Sequence, residues 1–149
     1  MTKQSWTLAA LGVVLGGLYI SQFTDLGRAR QIQINVSSRP FAPRLAPGDP
    51  LPIIFGMDQE WKLTALRVLP LAAVSNANPK TVWNLASKSG SQPLRGFAYG
   101  DVIPGMLASA PASAEKLVPG IRYRLYVEAG TARGVVDFTP QASEELTPQ

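Results

Sequence analysis

The chain opens with one long apolar stretch and continues with short apolar runs that alternate with polar residues. No residue between Lys3 and Asp25 carries a charge. As a helix, residues 6–23 would reach about 27 Å, close to the roughly 30 Å hydrocarbon core of a bilayer. We therefore predict a tail over residues 1–5, a transmembrane helix over residues 6–24 and a juxtamembrane linker over residues 25–30.

Both ends of this stretch carry residue types that suit a membrane interface. Aromatic side chains settle at the headgroup level, and arginines are attracted to anionic lipid. A cleaved signal peptide is one alternative, but no cleavage site of small residues follows the apolar run at the required offset. A buried helix of a soluble core is the other alternative. The predicted membrane-interface residues are Trp6, Tyr19, Phe23, Arg28 and Arg30.

Small residues form a stripe along the predicted helix. Gly12 and Gly16 make a G-x-x-x-G pair, and Ala9 extends the same face by about one turn. A stripe of this kind lets a second helix approach closely. Ala9, Gly12 and Gly16 are therefore candidate helix-packing residues, although glycines are also common in membrane helices without that role.

From residue 31 the apolar positions alternate by two, which is typical of half-buried strands. Ile32 and Ile34 share one face of the first run, and the most regular run alternates from Ile121 to Val127. We also expect residues 51–57 and 61–69 to pair as strands, joined by a turn at residues 57–60. Turn signals that contain Gly or Pro occur about every ten residues, and no helical pattern lies between the predicted strands. These features predict an all-β fold, an antiparallel sandwich over residues 31–140 with a disordered tail over residues 141–149.

The segment from Leu117 to Tyr123 resembles a known sandwich family. Its L-x-P-G-x-x-Y pattern is similar to the approach to the next-to-last strand in fibronectin type III and other immunoglobulin-like domains. The last third of the chain also resembles uncharacterised membrane-tethered bacterial envelope proteins. The resemblance implies an immunoglobulin-like sandwich in which Tyr123 forms a tyrosine corner, Trp83 is a core aromatic, and no catalytic activity is expected. The structural residues that it implies are Trp83, Leu117, Pro119, Gly120 and Tyr123.

The composition excludes several kinds of chemistry. The chain has 149 residues and no histidine or cysteine, so Ser-His-Asp and Cys-His nucleophiles, the usual zinc sites and disulfides are ruled out. Asp58 and Glu60 form the only close carboxylate pair of the predicted domain, and we interpret them as a solvated hairpin tip rather than a cation site. We predict no catalytic residue, no cofactor and no metal ion.

Arginine provides most of the positive charge. The net charge is +4, and only 16% of the residues are charged. No basic run is interleaved with aromatics, so we expect no nucleic-acid partner. Arg122 and Arg124 fall on one face of a strand and Arg133 lies in the next hairpin arm, which makes these three a possible partner surface. An ordinary solvated sheet face is the alternative interpretation.

These patterns together predict a non-enzymatic, single-pass accessory or scaffolding subunit in the bacterial inner membrane. Its expected partners are the lipid bilayer and an integral membrane protein complex, bound through both the sandwich and the helix. We expect a periplasmic domain from the resemblance to envelope modules, although counting arginines near the helix favours the cytoplasm. The alternative function is a stand-alone envelope module that binds a peptide, glycan or lipid. An enzyme that relies on Asp58 or Glu60 is a third, weaker hypothesis.

Overall fold

The computed structural model describes residues 3–23, 30–39 and 45–143. One helix precedes eight strands in these ranges, and a short 3-10 turn follows the third strand. Most strands are short, in keeping with the frequent Gly and Pro residues of the sequence. The elements are α1 (Lys3–Phe23), β1 (Ile34–Ser38), β2 (Ile53–Trp61), β3 (Ala65–Pro70), β4 (Trp83–Ala86), β5 (Leu94–Ala98), β6 (Leu107–Ala108), β7 (Tyr123–Ala129) and β8 (Ala132–Phe138).

The strands form two antiparallel sheets, with the orders β1-β2-β5 and β6-β4-β3-β7-β8. Aromatic side chains from both sheets meet in the core. The Phe55 ring of the three-stranded sheet lies 5.1 Å from the ring of Phe138 in the five-stranded sheet, and the Phe97 and Trp83 rings are 6.0 Å apart. The prediction of a mostly β protein with two packed sheets is therefore confirmed, in an arrangement consistent with a β-sandwich.

The chain before β1 joins the two sheets along one side. Ile32 N–H donates to the Arg133 carbonyl at 2.8 Å, and Arg133 N–H donates to the Arg30 carbonyl at 2.9 Å. This parallel contact brings the backbone of Ile32 against Gly134 of β8. A Cβ at Gly134 would lie only 2.8 Å from the Ile32 carbonyl oxygen, so the crossing depends on glycine at this position.

Strand β2 corrects the predicted hairpin turn at residues 57–60. That segment continues the strand through to Trp61, and β2 and β3 belong to different sheets rather than pairing with each other. The register of β2 against β5 shifts between Gly56 and Trp61, as at a β-bulge. Asp58 and Glu60 consequently lie on the exposed end of a strand, and they do not form a turn.

The last two strands match their predicted pattern closely. Tyr123, Leu125 and Val127 are buried in β7, whereas Ile121 precedes the strand and is exposed. Gly130, at φ 63°, occupies the first position of the two-residue turn to β8, where a type II′ hairpin needs a positive φ. Residues 141–143, which we predicted to be disordered, make backbone hydrogen bonds with residues 48–51, and residues 144–149 lie outside the described part.

At the last residue of β5, Ala98, the free edge of the strand is blocked by Asp101. Ala98 N–H donates to Asp101 Oδ2 at 2.8 Å, and Asp101 N–H donates to the Ala98 carbonyl at 3.1 Å. Tyr99 N–H bonds in the other direction, to Ile53 of β2. Both backbone groups of Ala98 are therefore occupied on the side that faces away from the sheet.

The N-terminal apolar stretch forms a helix, but the transmembrane part of the prediction is corrected. Within the ranges that the structure describes, no helix combines the length and the apolar content needed to cross a membrane. The apolar centre of α1, residues 8–20, has thirteen residues and is about 20 Å long. Polar residues flank it at both ends.

Candidate interaction surfaces

Helix α1 presents apolar side chains that the sandwich does not cover. Trp6 is 75% exposed and Val13 is 76% exposed. The predicted stripe has open space along it, because no other described atom lies within 4 Å of a Cβ placed on Gly12 or Gly16. Ala9 is exposed as well. The stripe is thus sterically open, and its role in helix packing stays a prediction.

The predicted membrane-interface residues do not gather into one site. Trp6 and Tyr19 are exposed on α1, and Arg30 is exposed in the segment before β1. The backbone of Arg30 has a structural role, because its carbonyl accepts the hydrogen bond from Arg133. The Phe23 side chain and the whole of Arg28 lie outside the described residues.

The outer face of the five-stranded sheet brings together the three predicted arginines and several neighbours. We call it the outer sheet face and define it by side chains that alternate with the buried positions of β3, β7 and β8, together with Arg122 just before β7. Its members are Arg67, Arg122, Arg124, Tyr126, Glu128, Arg133, Val135 and Asp137.

The sequence suggests that Arg124 is free to bind a partner, but its guanidinium is already paired with Asp137 within the sheet. Its Nε donates to Asp137 Oδ1 at 2.6 Å and its Nη2 donates to Asp137 Oδ2 at 2.9 Å, a bidentate pair across β7 and β8. Hydrogen bonding from Arg124 holds the pKa of the Asp137 carboxyl below its usual range, and Arg122 contributes to the same effect. The pair also raises the pKa of Arg124, with a smaller contribution from Tyr126.

Sequence reasoning missed the aromatic centre of this face. The Arg67 guanidinium lies 5.9 Å from the centroid of the Tyr126 ring, within the range of a cation–π contact. Arg67 and Tyr126 are 59 positions apart in the sequence and become direct neighbours only through the β3–β7 register. A pattern of alternating residues could place each on an outer face, but it could not pair them.

Two tyrosines fix loops to the core, and one of them was predicted. Val118 N–H donates to the Tyr123 hydroxyl at 3.1 Å, which gives the tyrosine corner its expected bond back to the upstream backbone. Gly120, with φ at 83°, provides the turn between them. Tyr99 makes a second contact of this kind, because its hydroxyl donates to the Glu115 carbonyl at 2.7 Å and its burial raises its pKa. Trp83 and Leu117 are buried and Pro119 is half-buried, as structural residues would be.

An open groove lies beside Tyr99, between the segment before β2 and the loop at residues 113–117. It has a volume of about 480 Å³. An ion pair between Lys116 and Asp49 joins the two loops near it, and the hydrogen bond from Lys116 lowers the pKa of Asp49. The lining includes Pro50, Leu51 and Pro52 and is largely apolar.

The carboxylates of the described part do not form a metal centre. Asp58 Oδ1 accepts a hydrogen bond from Trp61 Nε1 at 3.0 Å, and Glu60 lies on the same exposed end of β2. Across the described ranges, no three potential ligands of the His, Cys, Asp and Glu types lie close enough to hold an ion.

Comparison with known proteins gave no relative for this chain: no family model, no curated protein and no solved structure matches it.

Proposed function

We propose that this protein is a non-catalytic accessory or scaffolding subunit of a larger protein complex, held there by α1 and by the sandwich. The observation that carries the proposal is the uncovered apolar surface of α1. Leu8, Leu11 and Leu15 share one side of the helix, Val14 lies next to Leu11, and Val13 lies on the opposite side. All five are more than half exposed.

A helix that is apolar around its circumference is normally buried. An apolar run of about 10 to 14 residues is also more typical of a buried helix than of one that spans a bilayer. Burying a leucine or valine side chain stabilises a complex by about 1.5–3 kcal/mol. Several such side chains on one helix would make docking into a protein groove strongly favourable, with specificity added by the sandwich.

The fold interpretation agrees with a binding role. The first, second and fifth strands form one sheet, and the third, fourth, seventh and eighth lie together in the other. This order, with a tyrosine corner at the next-to-last strand, supports an immunoglobulin-like topology. Such sandwiches host many unrelated functions, so the argument for binding rests on the surfaces rather than on the fold.

The test is affinity purification of the full chain, with a C-terminal tag, from its native source after mild cross-linking. We expect one protein to copurify at a near-equimolar ratio. The double variant Leu11→Gln, Leu15→Gln should retain at least tenfold less of it, whereas Val102→Gln should retain it fully because Val102 is 93% exposed in a loop. A chain that elutes alone, or a helix variant that keeps its partner, would contradict the proposal.

A second candidate is a stand-alone module that binds a peptide, glycan or lipid in the groove beside Tyr99. The groove volume of about 480 Å³ favours it, because ligand sites typically measure about 300–1,000 Å³. In this case ligand binding would survive the substitutions at Leu11 and Leu15 and would be lost on Leu51→Glu, which places a charge in the groove lining.

A further inference from the structure

Three side chains lie in one row across the centre of the outer sheet face. The β3–β7 register places Arg67 opposite Tyr126, and the β7–β8 register places Tyr126 opposite Val135. Arg67 contacts the Tyr126 ring, Tyr126 is half-buried, and Val135 is 52% exposed. The row therefore presents a cation, an aromatic ring and an aliphatic side chain to solvent at adjacent positions. Arginine and tyrosine are the types most often found at the energetic centres of protein interfaces.

The charge around this row is unbalanced. The described part of the chain contains three ion pairs, and of the outer-face arginines only Arg124 takes part in one. Asp137 is paired with Arg124 and also feels the charge of the nearby Arg122, while Arg67 has the Tyr126 ring as its contact. Arg133 lies opposite Glu128 in the register, and these two balance in charge. Three arginines against one carboxylate leave two positive charges around the row.

The row and its neighbour Arg124 are also held in place before any partner arrives. Arg124 is fixed by two hydrogen bonds to Asp137, and the ring of Tyr126 lies beneath the Arg67 guanidinium. Each long side chain that must be ordered on binding costs about 0.5–1.5 kcal/mol. Side chains that are already ordered avoid much of this cost. Arg67 lies on β3, an interior strand of the sheet, so protection of a free edge does not explain its presence.

We propose that the outer sheet face, centred on Arg67, Tyr126 and Val135, is the docking site for an acidic segment of a partner protein that carries an apolar anchor residue. Carboxylates of the segment pair with Arg67 and Arg122, and the anchor packs on Tyr126 and Val135. The inference rests on the proposed binding function and names the chemistry of the partner on this face.

A protein segment fits the surface better than a nucleic acid does. Nucleic-acid binding relies on many phosphate contacts, whereas this face has two uncompensated charges next to apolar side chains. Arginine pairs with carboxylates in a planar, bidentate geometry, and the Arg124–Asp137 pair shows that geometry on the same face. The test must therefore distinguish binding of a protein segment from binding of a nucleic acid.

The test is an NMR titration of the full, isotope-labelled chain with the capped peptide Glu-Glu-Leu-Glu-Glu. The control probes are the same peptide with Gln in place of each Glu, and a single-stranded oligonucleotide. We expect the acidic peptide to shift the amide signals of β3, β7 and β8 and the glutamine peptide to leave them unchanged. Arg67→Gln and Arg122→Gln should each weaken peptide binding about fivefold to tenfold.

Arg95 provides the matched control, because it is an exposed arginine on β5 in the other sheet. Arg95→Gln removes the same charge and should leave the peptide affinity unchanged. Equal weakening by Arg95→Gln and Arg67→Gln would overturn the inference, since binding would then follow net charge alone. Oligonucleotide binding to this face as tight as that of the peptide would overturn it too. Thermal denaturation of each variant confirms that the sheet is intact.

The copurification assay separates this inference from the proposed function. If Arg67→Gln keeps the native partner while the Leu11, Leu15 double variant loses it, the outer sheet face is not the docking site, although the subunit role stands. If the wild-type chain captures no partner, the subunit role fails, and peptide binding that Arg67→Gln weakens would still support the face as an acidic-segment site.

Discussion

Replacing Gly134 with alanine tests whether the contact between the segment before β1 and strand β8 requires the absence of a side chain at this position. The added Cβ would lie 2.8 Å from the Ile32 carbonyl oxygen and 2.9 Å from Ile32 Cβ, where ordinary contacts begin at 3.4 Å. The backbone at Ile32 must therefore move by about 0.6 Å, the difference between 3.4 and 2.8 Å. Because two of the three close atoms belong to Ile32 near the main chain, a rotamer change cannot relieve the contact.

Three terms set the size of the effect. Overpacking of a well-packed site costs about 1–3 kcal/mol, and weakening the hydrogen bonds between Ile32, Arg133 and Arg30 costs about 1 kcal/mol each. Alanine gains about 0.4–1 kcal/mol by restricting the unfolded chain. The net loss in the free energy of unfolding is about 2–5 kcal/mol. The assay is urea denaturation followed by tryptophan fluorescence.

Gly56 is the matched control, since it is also a strand glycine but the atom nearest to a Cβ added there is 4.0 Å away. Gly56→Ala should leave the free energy of unfolding unchanged or raise it slightly. Hydrogen exchange adds a local readout, because the Ile32 amide should lose protection in Gly134→Ala and keep it in Gly56→Ala. Equal stability of the two variants, with Ile32 protected in both, would refute the steric argument.

Three further predictions concern the core, the corner and the outer ion pair. Tyr123→Phe removes one hydrogen bond and should lower the free energy of unfolding by about 1 kcal/mol in urea denaturation; no change would mean that the corner bond is not stabilising. Leu125→Ala should cost about 2–5 kcal/mol in the same assay, because Leu125 is fully buried, whereas Leu107→Ala at an exposed site should cost little. The folded-state pKa of Asp137 is lowered by Arg124, so this pair stabilises the protein above the ordinary pKa of 3.8 and ceases to do so as the pH falls through the lowered value. Wild type should therefore lose more stability on acidification than Asp137→Asn does, and identical pH profiles would contradict this.

The sequence predicted those parts of the fold that local patterns encode. Tyr123, Leu125 and Val127 alternate with polar residues, and this local signal placed β7 and its buried face correctly. Gly120 and Tyr123 also lie within a few residues of the strand that they precede or begin. Their roles could therefore be predicted from a short motif. The helix was predicted in type and position, but its capacity to span a membrane was not borne out.

The errors came where distant segments decide the structure. Asp58 and Glu60 suggested a turn because they are polar, yet β2 extends past the core edge and carries them as exposed strand residues. The pairing of Arg67 with Tyr126 depends on a register between β3 and β7, which no local pattern specifies. For the same reason the sequence indicated three equivalent arginines, although Asp137 engages only Arg124 in a bidentate pair.

The closure of the β5 edge by Asp101 has a consequence for behaviour at high concentration. An open strand edge has unpaired N–H and C=O groups that can hydrogen-bond to another extended chain, including a second copy of the same protein. Such pairing can lead to aggregation. With both backbone groups of Ala98 occupied, sheet growth from copy to copy is obstructed at that point.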